Sequence, residues 1–186
     1  MIATARACVL ALLFVWPGQA IDDAARAWVQ AHRPAVLEAP MREASSRGRF
    51  VLIAGGVLAL FAGPQGRAFV IESVLALAPV NAAVEGLKWV VNRSRPDGTT
   101  ARRNSSFPSS HAANAFTVAA VITRRWRRAA VPAWLAAVIV AYSRLFLDRH
   151  WLSDVAFALV LGVAGALLGA FLQRRLRRPS DVAEAA

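Results

Sequence analysis

The chain is poor in cysteine and in acidic residues, and both shortages exclude kinds of site. Of its 186 residues only Cys8 is a cysteine, so an intrachain disulfide and a cysteine-based metal site are excluded. Asp and Glu together number 11, against 22 Lys and Arg, and they form no acidic cluster of the kind that holds magnesium. Internal repeats, low-complexity tracts and interdomain linkers are also absent, which favours a single domain.

What the chain has in excess is apolar and basic residues. Hydrophobic residues make up 57% of the sequence, and the net charge is +11. A charge of this size alone would suggest a nucleic-acid partner. The basic runs, however, lie beside apolar segments, which is typical of a polytopic membrane protein. We therefore expect membrane lipids as the surroundings and no nucleic acid as a partner.

The N-terminal residues 1–20 allow two interpretations. Arg6 precedes an apolar run of about ten residues that ends at Trp16, followed by small residues up to Ala20. This pattern fits a signal peptide cleaved after Ala20. It also fits an uncleaved first transmembrane helix, although the run is shorter than the roughly 20 residues that span a bilayer.

Residues 21–48 mix charged and apolar positions, which predicts a segment at the external membrane interface. Pro34 and Pro40 are expected to divide it into short helical pieces.

Five apolar segments follow, separated by polar or basic stretches. They predict an all-α fold, a polytopic membrane helix bundle with five or six transmembrane helices, the sixth being residues 1–20 if these stay attached. The segments cover residues 50–63, 68–91, 112–123, 129–147 and 155–172. The sequence Gly63-Pro-Gln-Gly66 predicts a turn after the first of them.

Two arginine clusters predict the orientation. Residues 124–128 and 173–178 are strongly basic, and the positive-inside rule places both in the cytoplasm, together with the tail 179–186. The loops 92–110 and 148–154 then share the opposite face. We expect this to be the periplasmic or exterior face of a bacterial inner membrane.

The first polar motif ends one of the apolar segments. Lys88 and Arg95 are seven residues apart, so they share a helix face if the helix continues to Pro96, which would end it. Glu85 is placed to pair with Lys88 at i,i+3. The alternative to an anion site is two cations whose side chains extend from a helix end to the membrane interface.

The second motif starts the next helix. Ser109 is a natural N-cap, and Ser110 and His111 follow it in the first turn. Free backbone N–H groups at a helix N-terminus suit a phosphate. An ordinary cap beside an interfacial histidine is the alternative.

The third motif combines Ser143-Arg144 with His150 and Asp154. We expect Asp148 to cap the last helix, which leaves His150 in its first turn and Asp154 four residues later on the same face. A carboxylate in that position can fix the imidazole tautomer and leave the other nitrogen free to attack. A purely structural His–Asp pair is the alternative.

Together these motifs resemble the three-part signature of the type 2 phosphatidic acid phosphatase (PAP2) superfamily, which includes vanadium haloperoxidases and bacterial acid phosphatases. Lys88 to Arg95-Pro96 matches K-x6-R-P, and Ser143 to Asp154 matches S-R-x5-H-x3-D at full spacing. The middle motif, P-S-G-H, departs at one position, where Ser110 replaces glycine. The resemblance implies that residues 49–178 form a PAP2-like membrane phosphatase domain with a haloperoxidase-like core.

The resemblance also implies roles. His150 would be the nucleophile that forms a phosphohistidine, Asp154 would orient it, and His111 would protonate the leaving oxygen. The remaining motif residues would bind the phosphoryl oxygens and offset their charge; these are Lys88, Arg95, Arg144, Ser109 and the backbone at Ser110. Members of this family work without a metal, so no cofactor is expected.

The expected substrate is a lipid phosphate or diphosphate, such as phosphatidate, phosphatidylglycerophosphate or undecaprenyl diphosphate. Two alternatives stand beside it: a catalytically weakened membrane member that binds or transports, and a haloperoxidase that uses the same cradle for vanadate. The haloperoxidase relatives are soluble, which five apolar spans argue against. Because serine is small and keeps its N–H, Ser110 is expected to retune the activity rather than abolish it.

Overall fold

The computed structural model describes residues 18–99 and 104–176, and the regular structure in these ranges is helical. The all-α prediction is therefore confirmed. Most of the segment 1–20 and the tail 179–186 lie outside the described residues. Within the described ranges the α-helices are α1 (Gly18–Ala31), α2 (Glu38–Leu60), α3 (Gly63–Val91), α4 (Ser110–Arg125), α5 (Ala130–Phe146) and α6 (Leu152–Leu176). Short 3₁₀ turns at Ala35–Leu37 and Arg127–Ala129 precede α2 and α5.

Three helical segments among the described residues are long and apolar enough to cross a membrane. They are Gly63–Val91, Arg127–Phe146, which is α5 with its preceding 3₁₀ turn, and Leu152–Leu176. Helix α4 has only 16 residues, and α2 carries several charged residues in its first half. Five or six crossings therefore remain a prediction.

Glycines on one face of α6 bring three helix backbones close together. A Cβ built on Gly162 would lie 2.9 Å from the carbonyl oxygen of Ala113 in α4, and one on Gly165 would lie 2.1 Å from Cγ2 of Val80 in α3. Small residues at such spacing allow close helix contact in a membrane. Helices α3, α4 and α6 thus form a tightly packed group whose ends carry the polar motifs.

Helix α3 ends at Val91, where its apolar segment ends, and does not continue to Pro96. Asn92 adopts the left-handed conformation (φ 46°) and its N–H bonds to the carbonyl of Lys88, which is a common way for a helix to end. Arg95 therefore lies in the following loop, and the condition under which it would share a helix face with Lys88 is not met.

Helix α6 begins later than expected. It starts at Leu152, and Asp148 adopts a positive φ of 53° and does not cap it. His150 consequently precedes the helix, so the prediction that it lies in the first turn with Asp154 on the same helix face is wrong. The backbone N–H of Trp151 donates instead to Oδ2 of Asp154 at 2.8 Å, and this hydrogen bond caps the N-terminus of α6.

Two proline predictions also need correction. Pro40 lies in the first turn of α2, where its missing N–H costs little, so α2 runs unbroken from Glu38 to Leu60. Gly63 and Pro64 open α3 rather than form a separate turn up to Gly66. Pro34, by contrast, does separate α1 from the next helical turn.

The two polar loops meet at one end of the bundle, as the sequence predicts. Trp151 Nε1 donates to the carbonyl of Ser94 at 2.9 Å, and the N–H of Ser109 bonds to the carbonyl of Asp154 at 3.4 Å. At the other end Glu72 pairs with Arg125 at 2.6 Å. The bundle therefore has one end with the three motifs and one end with the basic cluster.

Candidate active site

His150 is held by backbone carbonyls in the loop before α6. Its side chain is almost fully buried, and its backbone N–H donates to the backbone carbonyl of Arg144 at 3.2 Å. The ring nitrogen Nδ1 lies 2.6 Å from the carbonyl oxygen of Ser106. Because a carbonyl can only accept, Nδ1 carries the proton and Nε2 keeps its lone pair.

Asp154 is connected to His150 through Ser106 and not by a direct hydrogen bond. Its Oδ2 lies 3.7 Å from His150 Nδ1, beyond hydrogen-bond distance. The hydroxyl of Ser106 donates to the same oxygen, while the carbonyl of Ser106 holds the imidazole. The direct carboxylate–imidazole contact expected from the sequence is thus replaced by a contact through one serine.

Burial and positive charge keep the His150 imidazole neutral. Burial lowers the pKa of His150 below its ordinary value of 6.5; the charges of Arg144 and Arg95 act in the same direction, and the Asp154 carboxylate opposes them. A neutral ring is the form that can act as a nucleophile.

Arg144 and Arg95 present guanidinium groups from two different elements. Arg144, in the last turn of α5, is 7% exposed; its Nη1 donates to the hydroxyl of Ser45 in α2, and among the described residues its buried Nε has no hydrogen-bond partner. Arg95 donates through Nε to the carbonyl of Asn104 at 2.9 Å, and burial lowers the pKa of its guanidinium below the ordinary value.

Lys88 lies in the last turn of α3 and is largely buried. Its Nζ pairs with Glu85 Oε1 at 2.9 Å, so the predicted i,i+3 pair is confirmed. Glu85 in turn lines the cavity described below, together with His111.

Ser109 caps α4 as predicted. Its side chain accepts a hydrogen bond from the N–H of Ala112, and the serine itself is fully buried. Ser110 is the first helical residue and His111 the second. The start of α4 therefore has the geometry of an anion-binding helix N-terminus.

Ser110 and His111 lie at the wall of a cavity of about 550 Å³ between α2, α3, α4 and α5. This volume is within the usual range of small-molecule sites. Its lining is mainly apolar, with alanines of α5 such as Ala133 and Ala136 facing α4. A phosphate near His111 would thus have an apolar chamber beside it.

Three residues that the motifs did not single out belong to the same network. Ser106 links Asp154 to His150. Arg93 donates to Asp154 Oδ1 at 2.7 Å, and it also pairs with Asp22 of α1 at 2.7 Å. The position of Arg93 between Lys88 and Arg95 was the one available signal, since Asp22 is 71 residues away along the chain.

Comparison with known proteins gives the family. The chain matches the PAP2 superfamily over residues 69–178, more than half of its length. Lipid A 1-phosphatase of Porphyromonas gingivalis is 31% identical over 103 residues, which are 53% of this chain but only 22% of that protein.

Two crystal structures share the fold. Aquifex aeolicus LpxE superposes with a TM-score of 0.69 at 23% identity and covers 78% of this chain and 92% of its own. A transmembrane PAP2-type phosphatidylglycerolphosphate phosphatase from Bacillus subtilis has a TM-score of 0.69 at 22% identity and covers 92% of this chain and 93% of its own. With the motifs brought to one end of the bundle and the superfamily match across α3 to α6, the chain belongs to the PAP2 superfamily.

Proposed function

We propose that this chain is an integral membrane phosphatase that hydrolyses lipid phosphates or diphosphates through a phosphohistidine intermediate. The observation that carries the proposal is the arrangement at His150: Nδ1 is held by the Ser106 carbonyl at 2.6 Å, which directs the lone pair to Nε2. Arg144 lies beside it with a buried Nε that has no partner among the described residues. A nucleophile next to cations suits phosphoryl transfer.

In the first step Nε2 of His150 attacks phosphorus, and the bond between phosphorus and the leaving oxygen breaks. His111 donates a proton to that oxygen, so the alcohol or phosphate leaves in neutralised form. Nδ1 keeps its proton and its bond to Ser106. In the second step His111, now neutral, takes a proton from water, which attacks the phosphohistidine and regenerates free His150.

The cations stabilise the charge that develops on the phosphoryl oxygens. Lys88, Arg95 and Arg144 converge on this end of the bundle from α3, the following loop and α5. The capped N-terminus of α4 adds N–H groups and its positive dipole end. Transition-state charge stabilisation by such preorganised donors is commonly the largest single contribution to catalysis.

We propose that the site faces the periplasm or exterior of a bacterial inner membrane. The three helical segments with the length and composition of spans are joined by α2 and α4 to complete five crossings, with residues 1–20 as a possible sixth. The basic ends of α4 and α6, at Arg125 and Arg175, support a cytoplasmic location for the opposite end.

The substrate is proposed as a class. The apolar cavity beside His111 favours a phosphate attached to a hydrocarbon chain over a soluble phosphate ester. Relatives named for lipid A and phosphatidylglycerolphosphate add lipid A 1-phosphate to the substrates to be tested with phosphatidate, phosphatidylglycerophosphate and undecaprenyl diphosphate.

The test is phosphate release by the purified protein in detergent, with each of these lipids and with EDTA present. We expect release by the wild type and none by His150→Ala, because that variant lacks the nucleophile. His32→Ala is the matched control, since His32 is exposed directly after α1 and stacks on Trp28. Equal release by wild type and His150→Ala would refute the assignment of the nucleophile. Loss of release in EDTA that added metal restores would refute metal independence.

A further inference from the structure

One guanidinium group joins two buried carboxylates at the edge of the site. Arg93 Nη1 donates to Asp154 Oδ1 at 2.7 Å, and its Nη2 pairs with Asp22 Oδ2 at 2.7 Å. The side chain of Asp154 is 0% exposed and that of Asp22 3%. The planar guanidinium has N–H donors along two edges, so it can bind two carboxylates at once. The compact ammonium group of a lysine does not offer this geometry.

Asp22 also binds the start of α6 directly. Its Oδ1 accepts the N–H of Ser153 at 2.8 Å, and its Oδ2 accepts the Ser153 hydroxyl at 2.6 Å. Arg93 donates to that same hydroxyl oxygen at 2.7 Å. Helix α1 is therefore attached to the first turn of α6, next to Asp154 in sequence and in space.

A second contact holds the other end of the His150 loop. Arg26 of α1 pairs with Asp148 at 2.9 Å. Helix α1 thus contacts the chain on both sides of His150: at Asp148 in the loop and at Ser153 in the first turn of α6.

These contacts form a continuous hydrogen-bonded path to the nucleophile. Asp22 binds Arg93, Arg93 binds Asp154, Asp154 accepts from the Ser106 hydroxyl, and the Ser106 carbonyl holds His150 Nδ1. Removing Arg93 would leave two buried carboxylates without their common counter-ion, a strongly unfavourable arrangement. The carboxylates would then have to move or become protonated, and either change would displace Ser106.

We propose that Arg93 and Asp22 are positioning residues of the active site, and that α1 supports the site rather than being only an interfacial helix. This rests on the proposed phosphatase function. Neither residue is assigned a contact with substrate. Both act by fixing Asp154, and through it the orientation of the His150 ring.

The expected result is a loss of kcat with KM nearly unchanged. Arg93→Gln should lower kcat about 100-fold, since a displacement of about 1 Å at the reacting atoms costs that much. Asp22→Asn, which keeps its shape, should lower kcat about tenfold. The kcat of Arg93→Lys should lie between those of wild type and Arg93→Gln, because an ammonium group can reach one carboxylate but cannot bind both at once.

Arg149→Gln is the matched control. Arg149 is next to His150, but its pair with Asp97 at 3.3 Å is exposed to solvent, and such pairs contribute little. The kcat of Arg149→Gln should stay within about twofold of the wild-type value. Melting curves in detergent show which variants fold. If Arg93→Gln does not fold, Asp22→Asn still tests the proposal.

A readout independent of turnover separates positioning from general stability. In protein with ¹⁵N-labelled histidine, His150 of folded Arg93→Lys and Asp22→Asn should lose the pure Nδ1–H tautomer signal of the wild type, while Arg149→Gln keeps it. Wild-type kcat and wild-type His150 signals in both Arg93→Lys and Asp22→Asn would overturn the proposal. So would a raised KM with unchanged kcat, which would make Arg93 a substrate ligand. The proposed function fails separately, if wild type shows no His150-dependent phosphate release.

Discussion

Replacement of Gly165 by alanine tests the close packing of α6 against α3. The new Cβ would lie 2.1 Å from Val80 Cγ2, whereas carbon atoms in contact prefer about 3.5 to 4.0 Å. In the wild-type background we expect a loss of about 1 to 3 kcal/mol in the free energy of unfolding, the usual cost of overpacking a core.

Val80→Ala removes the atom that clashes. The next neighbour of the new Cβ is then the carbonyl oxygen of Ala76 at 3.3 Å, which needs only a small shift. In that background Gly165→Ala should be neutral or should stabilise by up to about 1 kcal/mol, the helix preference of alanine over glycine. The expected coupling between the two sites is therefore about 1 to 4 kcal/mol.

Unfolding of the four proteins in mixed micelles, followed by tryptophan fluorescence, measures this cycle. Gly86→Ala is the control, because a Cβ at Gly86 in α3 meets nothing within 4 Å. Additive effects of Gly165→Ala and Val80→Ala would refute the packing argument. Equal destabilisation by Gly86→Ala would show that the cost comes from the substitution itself and not from the contact.

Two further predictions concern the chemistry. Because burial lowers the pKa of His150 below 6.5, its imidazole should stay neutral as the pH falls through 6.5 and should protonate only at lower pH. A ¹⁵N titration of the histidine ring measures this. Protonation at or above pH 6.5 would contradict the prediction. The unfolded chain binds that proton more readily, so the contribution of His150 to stability should be lost as the pH falls below 6.5. Ser110→Gly should leave turnover equal or higher, because glycine allows the backbone at the start of α4 to approach the phosphate more closely; a collapse of kcat in phosphate-release assays would give the serine hydroxyl a role of its own.

The sequence predicts the helices well because apolar periodicity and length are local properties. The cap at Ser109, the first-turn position of His111 and the pair between Lys88 and Glu85 also follow from neighbours within four residues. Each is an interaction whose partners are visible in a short window of sequence.

The loops at the site could not be predicted in the same way. The left-handed conformation of Asn92 ends α3 at Val91, and the hydrophobic pattern does not predict the path by which the following loop brings Arg95 to the site. The support of His150 comes from a backbone carbonyl at Ser106, which any residue type could supply. Arg93 meets Asp22 and Asp154 from 71 and 61 residues away, so only the tertiary structure reveals this group.

The length of α4 has a consequence for the bilayer itself. The helix carries His111 at its start and Arg125 at its end, and 16 residues extend only about 24 Å. A typical hydrocarbon layer is about 30 Å thick. In the proposed five-span arrangement, headgroups reach both His111 and Arg125 only where the membrane thins around the protein, at a cost of fractions of a kcal/mol per Å. Turnover should then depend on the acyl length of the surrounding lipids, with thin bilayers bringing the phosphate to His111 and thick ones leaving the site below the headgroup layer.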